Sequence, residues 1–211
     1  VSSGIEDSGV DEIVYCGATS SPTKGLLIKV DSSGDCVWAK AHFAGNLYDV
    51  VKDSNYIYSI GSYFLKADFA GNCISAKNIQ GDFIELSNDG NLIIYKNSTA
   101  DDKLIKIDSN GNILFEKTYH FSNDDYVNAI KQTSEGLICA VGIRCDAGPC
   151  TAFMNSFDVN GNFIKADNFN GYPYSNFSDI KILEDGNVLV LGNNYGGVAF
   201  AKYNAFLERI W

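Results

Sequence analysis

The chain has only two histidines, His42 and His120, and only three prolines in 211 residues. Two imidazoles cannot build a histidine-rich metal centre. GxSxG, HExxH and glycine-rich phosphate-loop patterns are missing as well, which removes the commonest catalytic frames. Positive charge is scarce: 16 Lys and Arg stand against 26 Asp and Glu, a net charge of −10. Affinity for nucleic acid comes mostly from clustered Lys and Arg, so an acidic chain argues against a phosphate backbone as partner. No apolar run approaches the roughly 18 residues of a membrane helix. The opening VSSGIEDSGV contains no basic stretch leading into an apolar one, so no signal peptide is legible there. Helical periodicity is missing throughout, and alternation of apolar with polar residues takes its place.

What is present is glycine, aromatics and a repeat. Twenty Gly, 12 Tyr and 13 Phe favour strands and turns. Aligned on itself, the chain yields GLLIKVDSSGDCVWAK, YFLKADFAGNCISAK, DKLIKIDSNGNILFEK, AFMNSFDVNGNFIKAD and VAFAKYNAFLERIW, five versions of one hairpin. Their turns open at Asp31, Asp68, Asp108, Asp158 and Asn204, in steps of 37, 40, 50 and 46 residues. An apolar strand precedes each hairpin (EIVYCGA, YIYSIGS, NLIIYKN, LICAVGI, VLVLGNN), and an alternating strand follows four of them (LYDVVKD, DFIELSN, YVNAIKQ, SDIKILE). Each unit therefore reads as four strands.

Small twisted sheets repeating without helices must bury both faces against one another, which predicts an all-β, five-bladed β-propeller of four-stranded antiparallel blades forming a single domain over residues 1–211. Trp211 aligns with Trp38 inside a third strand, so the last unit lacks its fourth strand. Ile5 aligns with Ile180 of a fourth strand, which predicts a ring closed by an N-terminal outer strand. The competing expectation is a piece of a larger propeller or array.

The pattern LIKIDSNGNILFEK, followed by a strand, an acidic or Asp-Gly turn and an inner strand, resembles the propeller repeats of secreted and surface proteins of bacteria, archaea and some of their viruses. The size of the ring is similar to the tachylectin type of sugar-binding propeller. The resemblance implies a fold and carries no activity with it.

Six cysteines occur, and RCDAGPC places Cys145 and Cys150 at the ends of a short loop suited to a disulfide, which points outside the cytosol. Cys16 and Cys139 read as small core residues. Cys36 and Cys73 occupy one repeat position twice. The DSNGN-type turns resemble the start of a calcium loop, but the twelfth position from Asp31, Asp108 and Asp158 is His42, Tyr119 and Phe169, none of them a carboxylate. No metal and no cofactor is expected. Asp11, Glu12, Glu135 and Asp185 lie near inner-strand starts, where the carboxylates of a five-bladed glycosidase would stand, yet such turns favour Asp and Glu for structural reasons, and the chain is read as a non-enzyme.

Recognition is expected in the loops that vary: GATSSPTK, NSTADDK, RCDAGPC and NNYGG, with YHFSNDD and NFNGYPYSNFS at the same end. Their aromatic residues supply the candidate ligand contacts His120, Phe121, Tyr172, Tyr174 and Tyr195, because rings interleaved with Asn and Asp suit stacking on sugars. Phe169 and Phe177 read as core. Asn97 and Asn176 open sequons in the same loops and are candidate glycosylation sites. The functional expectation is an extracellular or surface-exposed, non-catalytic adhesion module that binds a glycan or cell-surface protein, without nucleic acid or membrane insertion. Its rival is an assembly module of a surface layer, filament or virion attachment apparatus.

Overall fold

The computed structural model describes residues 5–7, 12–121, 125–145, 148–169 and 174–211. Contacts divide the chain into two compact units, Val1–Lys96 with Lys106–Leu114 and Asn97–Ile105 with Phe115–Trp211. Among the described residues the alternating segments form nineteen strands in five antiparallel sheets.

In the first unit, β1 (Ile5–Asp7), β2 (Glu12–Ala18), β3 (Lys24–Asp31) and β4 (Cys36–Ala44) make one sheet, and β5 (Leu47–Lys52), β6 (Ile57–Gly61), β7 (Phe64–Ala67) and β8 (Cys73–Lys77) make the next. Val14, Cys16 and Leu27 of the first sheet pack on Leu47, Val50, Ile57, Leu65 and Ala67 of the second. The division between units passes through a third sheet, β9 (Phe83–Leu86), β10 (Leu92–Lys96), β11 (Asp102–Ile107) and β12 (Ile113–Tyr119). The second unit holds β13 (Asp125–Gln132), β14 (Ile138–Arg144), β15 (Thr151–Phe157) and β16 (Phe163–Asn168), and then β17 (Asn176–Ile182), β18 (Val188–Asn194) and β19 (Gly197–Tyr203). Cys139, Val141, Ala152 and Met154 of one sheet meet Phe177, Ile180, Val188, Val190, Ala201 and Tyr203 of the other.

The repeat is as expected, but its frame is shifted by one strand. LYDVVK, FIEL, DYVNAIKQ and NFSDIKI open their sheets rather than close the preceding ones. The turns explain this. Asp53 N–H donates to Tyr56 O at 3.1 Å, and its Oδ1 accepts from Asn55 and Tyr56 N–H at 2.7 Å, which closes β5 onto β6 as a tight hairpin. The shift also corrects the expected closure. β1 pairs with β2, Ile5 opposite Tyr15, just as β17 pairs with β18, Ile180 opposite Val190. The equivalence of Ile5 and Ile180 holds, but the N-terminal strand begins the first sheet and does not complete the last. The last sheet has three strands, followed by an isolated bridge between Tyr203 and Arg209 and by Lys202 N–H donating to Trp211 O at 3.1 Å.

The Asp-x-x-Gly hairpins are alike in detail. Gly34, Gly71, Gly111 and Gly161 lie at φ between 75° and 83°, where a side chain would strain the turn. Each donates its N–H to the carbonyl of the opening aspartate, Asp31, Asp68, Asp108 or Asp158. The aspartate Oδ1 accepts two backbone N–H groups, at 2.9 Å from both Ser33 and Asp35 in the first turn. Backbone and side-chain hydrogen bonds from Asn72 and Asn112 hold Asp68 and Asp108 below the ordinary carboxylate range. These carboxylates cap turns.

One strand position departs from the repeat. Asn155 in β15 aligns with Ile28, Leu65, Ile105 and Ala201, and it is fully buried with neither amide atom paired among the described residues. An unpaired buried amide costs about 1–3 kcal/mol. Asn155→Leu is therefore expected to stabilise the chain by about 1 kcal/mol or more, read as a higher urea midpoint at unchanged slope.

Candidate recognition site

In the second unit the connections β14–β15, β16–β17 and β18–β19 meet. The Cys145–Cys150 disulfide closes the first of them, with Cα atoms 4.1 Å apart. The second is pinned at both ends to Ala152, whose carbonyl accepts from Phe169 N–H at 2.9 Å and whose N–H donates to Ser175 Oγ at 2.8 Å. Tyr174 N–H donates to Cys150 O at 2.7 Å. Held in this way, Tyr174 adopts φ 60°, a left-handed conformation uncommon for an aromatic residue. Its ring lies 5.6 Å from that of Tyr195 at 48°, where Gly196 with φ 87° turns the short β18–β19 loop. Tyr174 is 57% exposed and Tyr195 85%, so two aromatic rings stand side by side in solvent.

Beside the pair a cleft of about 360 Å³ opens, lined by Ser175 and Asn194, the sequence neighbours of the two tyrosines, and by Phe169, Phe177, Val198, Phe200, Arg209 and Trp211. Phe169 and Phe177 are buried edge-to-face at 4.6 Å, as read from the sequence, and form the cleft wall. The Arg209 guanidinium lies over the Phe169 ring at 4.7 Å, with its Nε 3.4 Å from Asp167. Asp167 also accepts from the Tyr203 hydroxyl at 3.1 Å. Burial, reinforced by the Asp167 charge, pushes the Tyr203 phenol well above its ordinary value. The site thus combines an aromatic pair, an amide and one guanidinium.

The other candidates are placed differently. The described residues stop short of Tyr172. His120 is exposed, with Nδ1 2.7 Å from Ala100 O and 3.4 Å from Asp101. Phe121, expected as a ligand contact, is half-buried in a ring cluster: it stacks on Tyr119 at 5.4 Å and 8° and meets Phe163 at 5.2 Å. Both sequon asparagines have structural bonds. Asn97 exchanges two hydrogen bonds with the Val127 backbone, and Asn176, inside β17, accepts from Asn128 Nδ2 at 2.7 Å.

Of the acids weighed for catalysis, Asp11 lies outside the described residues. Glu12 pairs with Lys29, and Asp185 lies 3.6 Å from Lys202. Lys106 makes the same pairing with Asp89 at 2.7 Å. Burial alone would raise the Asp89 carboxyl, but Lys106, Ser87 and Asn91 hold it well below the usual range. A lysine recurs at this point of LIKVD, FLKAD, LIKID and FAKYN: Lys29, Lys106 and Lys202 make ion pairs, whereas Lys66 Nζ lies over the Tyr56 ring at 3.9 Å. Arg209, Asn194 and Trp211 were not legible as site residues, because only the folded last sheet places them beside Tyr174.

No protein-family model matches the chain, and no curated protein sequence matches it. Solved structures do. Kluyveromyces lactis Hsv2 aligns with 98% of this chain and 62% of its own at a TM-score of 0.60 and 14% identity. Virginiamycin B lyase from Staphylococcus aureus, a catalytically inactive variant solved with quinupristin, aligns over 97% and 67% at a TM-score of 0.67 and 12% identity. KlAtg21 in complex with the coiled coil of AgAtg16 aligns over 92% and 64% at 0.61 and 14%. These matches, with the all-antiparallel four-stranded sheets, define the fold as a β-propeller. The chain spans about 62% of the length of the Hsv2 chain it matches.

Proposed function

We propose that this propeller is a non-catalytic, extracellular or surface-exposed recognition module that binds glycans at the Tyr174–Tyr195 pair. The observation that carries this reading is the pair itself: two tyrosine rings 5.6 Å apart, exposed, and held by a backbone bond to the disulfide loop. Such rings lose little conformational entropy on binding and present an apolar face to a pyranose, while the Asn194 amide beside them matches hydroxyl groups. The test is a glycan array with the purified chain, followed by titration of the best-bound sugar. Tyr195→Ala and Tyr174→Ala are each expected to weaken binding about tenfold, the size of one lost stacking interaction. Silence across the array, or binding indifferent to both substitutions, removes the glycan reading.

A second reading is a module that contacts protein neighbours in an assembly. It is favoured by the exposed apolar side chains of the last sheet, Leu191, Val198 and Phe200, and by the propeller relative solved with a coiled-coil partner.

A further inference from the structure

The two end sheets each carry half of a packing arrangement that the inner sheets complete. In the second unit, Val141 stands opposite Met154, and both are buried with Ala152 beneath β17 of the following sheet. The last sheet repeats this register, with Leu191 opposite Phe200 and Val198 in the place of Ala152, yet these residues are 43%, 54% and 64% exposed. In the first unit, Ile57, Ser59, Leu65 and Ala67 face the preceding sheet and are fully buried. Their equivalents in the first sheet, Ile13, Tyr15, Ile28 and Val30, pair on one face, Ile13 with Val30 and Tyr15 with Ile28, and all remain partly exposed.

A second contact repeats in the same way. Trp38 of β4 donates its indole N–H to Phe69 O at 3.2 Å, and its ring occupies the space above Gly71, 2.7 Å from where a Cβ would stand. Phe115 fills the same space above Gly161 at 2.6 Å. The turn glycine of the first sheet, Gly34, has nothing within 4 Å of that position. Trp211, which aligns with Trp38, is 58% exposed.

We propose that the last sheet of one copy of this chain docks on the first sheet of a second copy. Leu191, Val198 and Phe200 then lie against Ile13, Tyr15, Ile28 and Val30, and Trp211 lies over Gly34. The occupant is argued from the chain's own packing: the aromatic ring, the vacant glycine and the apolar register at the two ends are the partners that consecutive sheets already use. The contact is head-to-tail, so successive copies extend an array unless the geometry closes a ring. The docking face borders the glycan site and shares Val198, Phe200 and Trp211 of its cleft, while Tyr174 and Tyr195 take no part in it, so Tyr195→Ala is expected to weaken sugar binding and leave association unchanged.

The test is sedimentation velocity on the whole chain in about 150 mM salt, where repulsion between copies of charge −10 is screened. The parent chain is expected to show a sedimentation coefficient that rises with concentration. Phe200→Asp and Val30→Asp should each sediment as monomers. Mixed one to one, they should form a dimer that grows no further, because each retains the face the other has lost. Far-UV circular dichroism and a thermal melt check folding, and Tyr15→Asp replaces Val30→Asp if the latter unfolds. A parent chain that stays monomeric at about 100 μM, or a mixture that stays monomeric, overturns the proposal.

Discussion

Gly142→Ala is expected to lower stability by about 3 kcal/mol or more, the upper range for forcing atoms into a filled space. Gly142 in β14 stands opposite Val127, where β13 bulges between Val127 and Ala129. A Cβ there would lie 1.9 Å from the carbonyl oxygen of Tyr126 and within 3 Å of two further backbone atoms. No side chain can swing aside to relieve this, so the bulge itself must flatten. Flattening moves the residues after Val127 to the opposite face of the sheet. Gly61 and Gly192 occupy the same place in their sheets, with Cβ positions 2.2 Å from Asn46 O and 1.8 Å from Asn176 O. Gly90→Ala separates the two possible causes: φ there is 78° but nothing lies within 4 Å, so it incurs only backbone strain of about 1–2 kcal/mol. Urea unfolding of the two variants checks the order, and equal losses would mean that the close approach is not the cause.

Phe177→Ala is expected to cost about 3–5 kcal/mol, the usual loss for truncating a fully buried phenylalanine, against the 5–15 kcal/mol that typically holds a domain together. Phe177 is inaccessible, lies at the centre of the packing between the last two sheets, and meets Phe169 edge-to-face at 4.6 Å. It also forms a wall of the cleft beside Tyr174. The variant should therefore lose stability and binding together, whereas Tyr195→Ala should lose binding alone. Phe200→Ala, exposed on the last sheet, should change monomer stability by no more than about 0.5 kcal/mol. Urea midpoints measured in dilute solution test all three, and a Phe177→Ala loss no larger than that of Phe200→Ala would contradict the packing described.

The hairpins were legible because they are local. An aspartate that caps its own turn, a glycine at positive φ three residues later and an alternating strand on each side depend on neighbours only four residues away. The frame was harder to read, since a strand between two short connections carries no mark of which neighbour it pairs with. Tyr174 and Tyr195 could be named as candidates from their polar loops. Their meeting could not, because β17, its turn and β18 lie between them and only the hairpin β17–β18 returns the chain to the same end.

Alternation, turn chemistry and the repeat thus determined the strands, their antiparallel pairing within hairpins and the β-propeller class, all consequences of short-range sterics and of sheets that each need two covers. Tertiary structure alone decided where each sheet begins, that Phe121 serves a ring cluster while Tyr174 faces solvent, and that the chain's two end sheets keep apolar faces open. Those outcomes depend on which surfaces meet across long stretches of chain, and a side chain's fate is set by what arrives beside it.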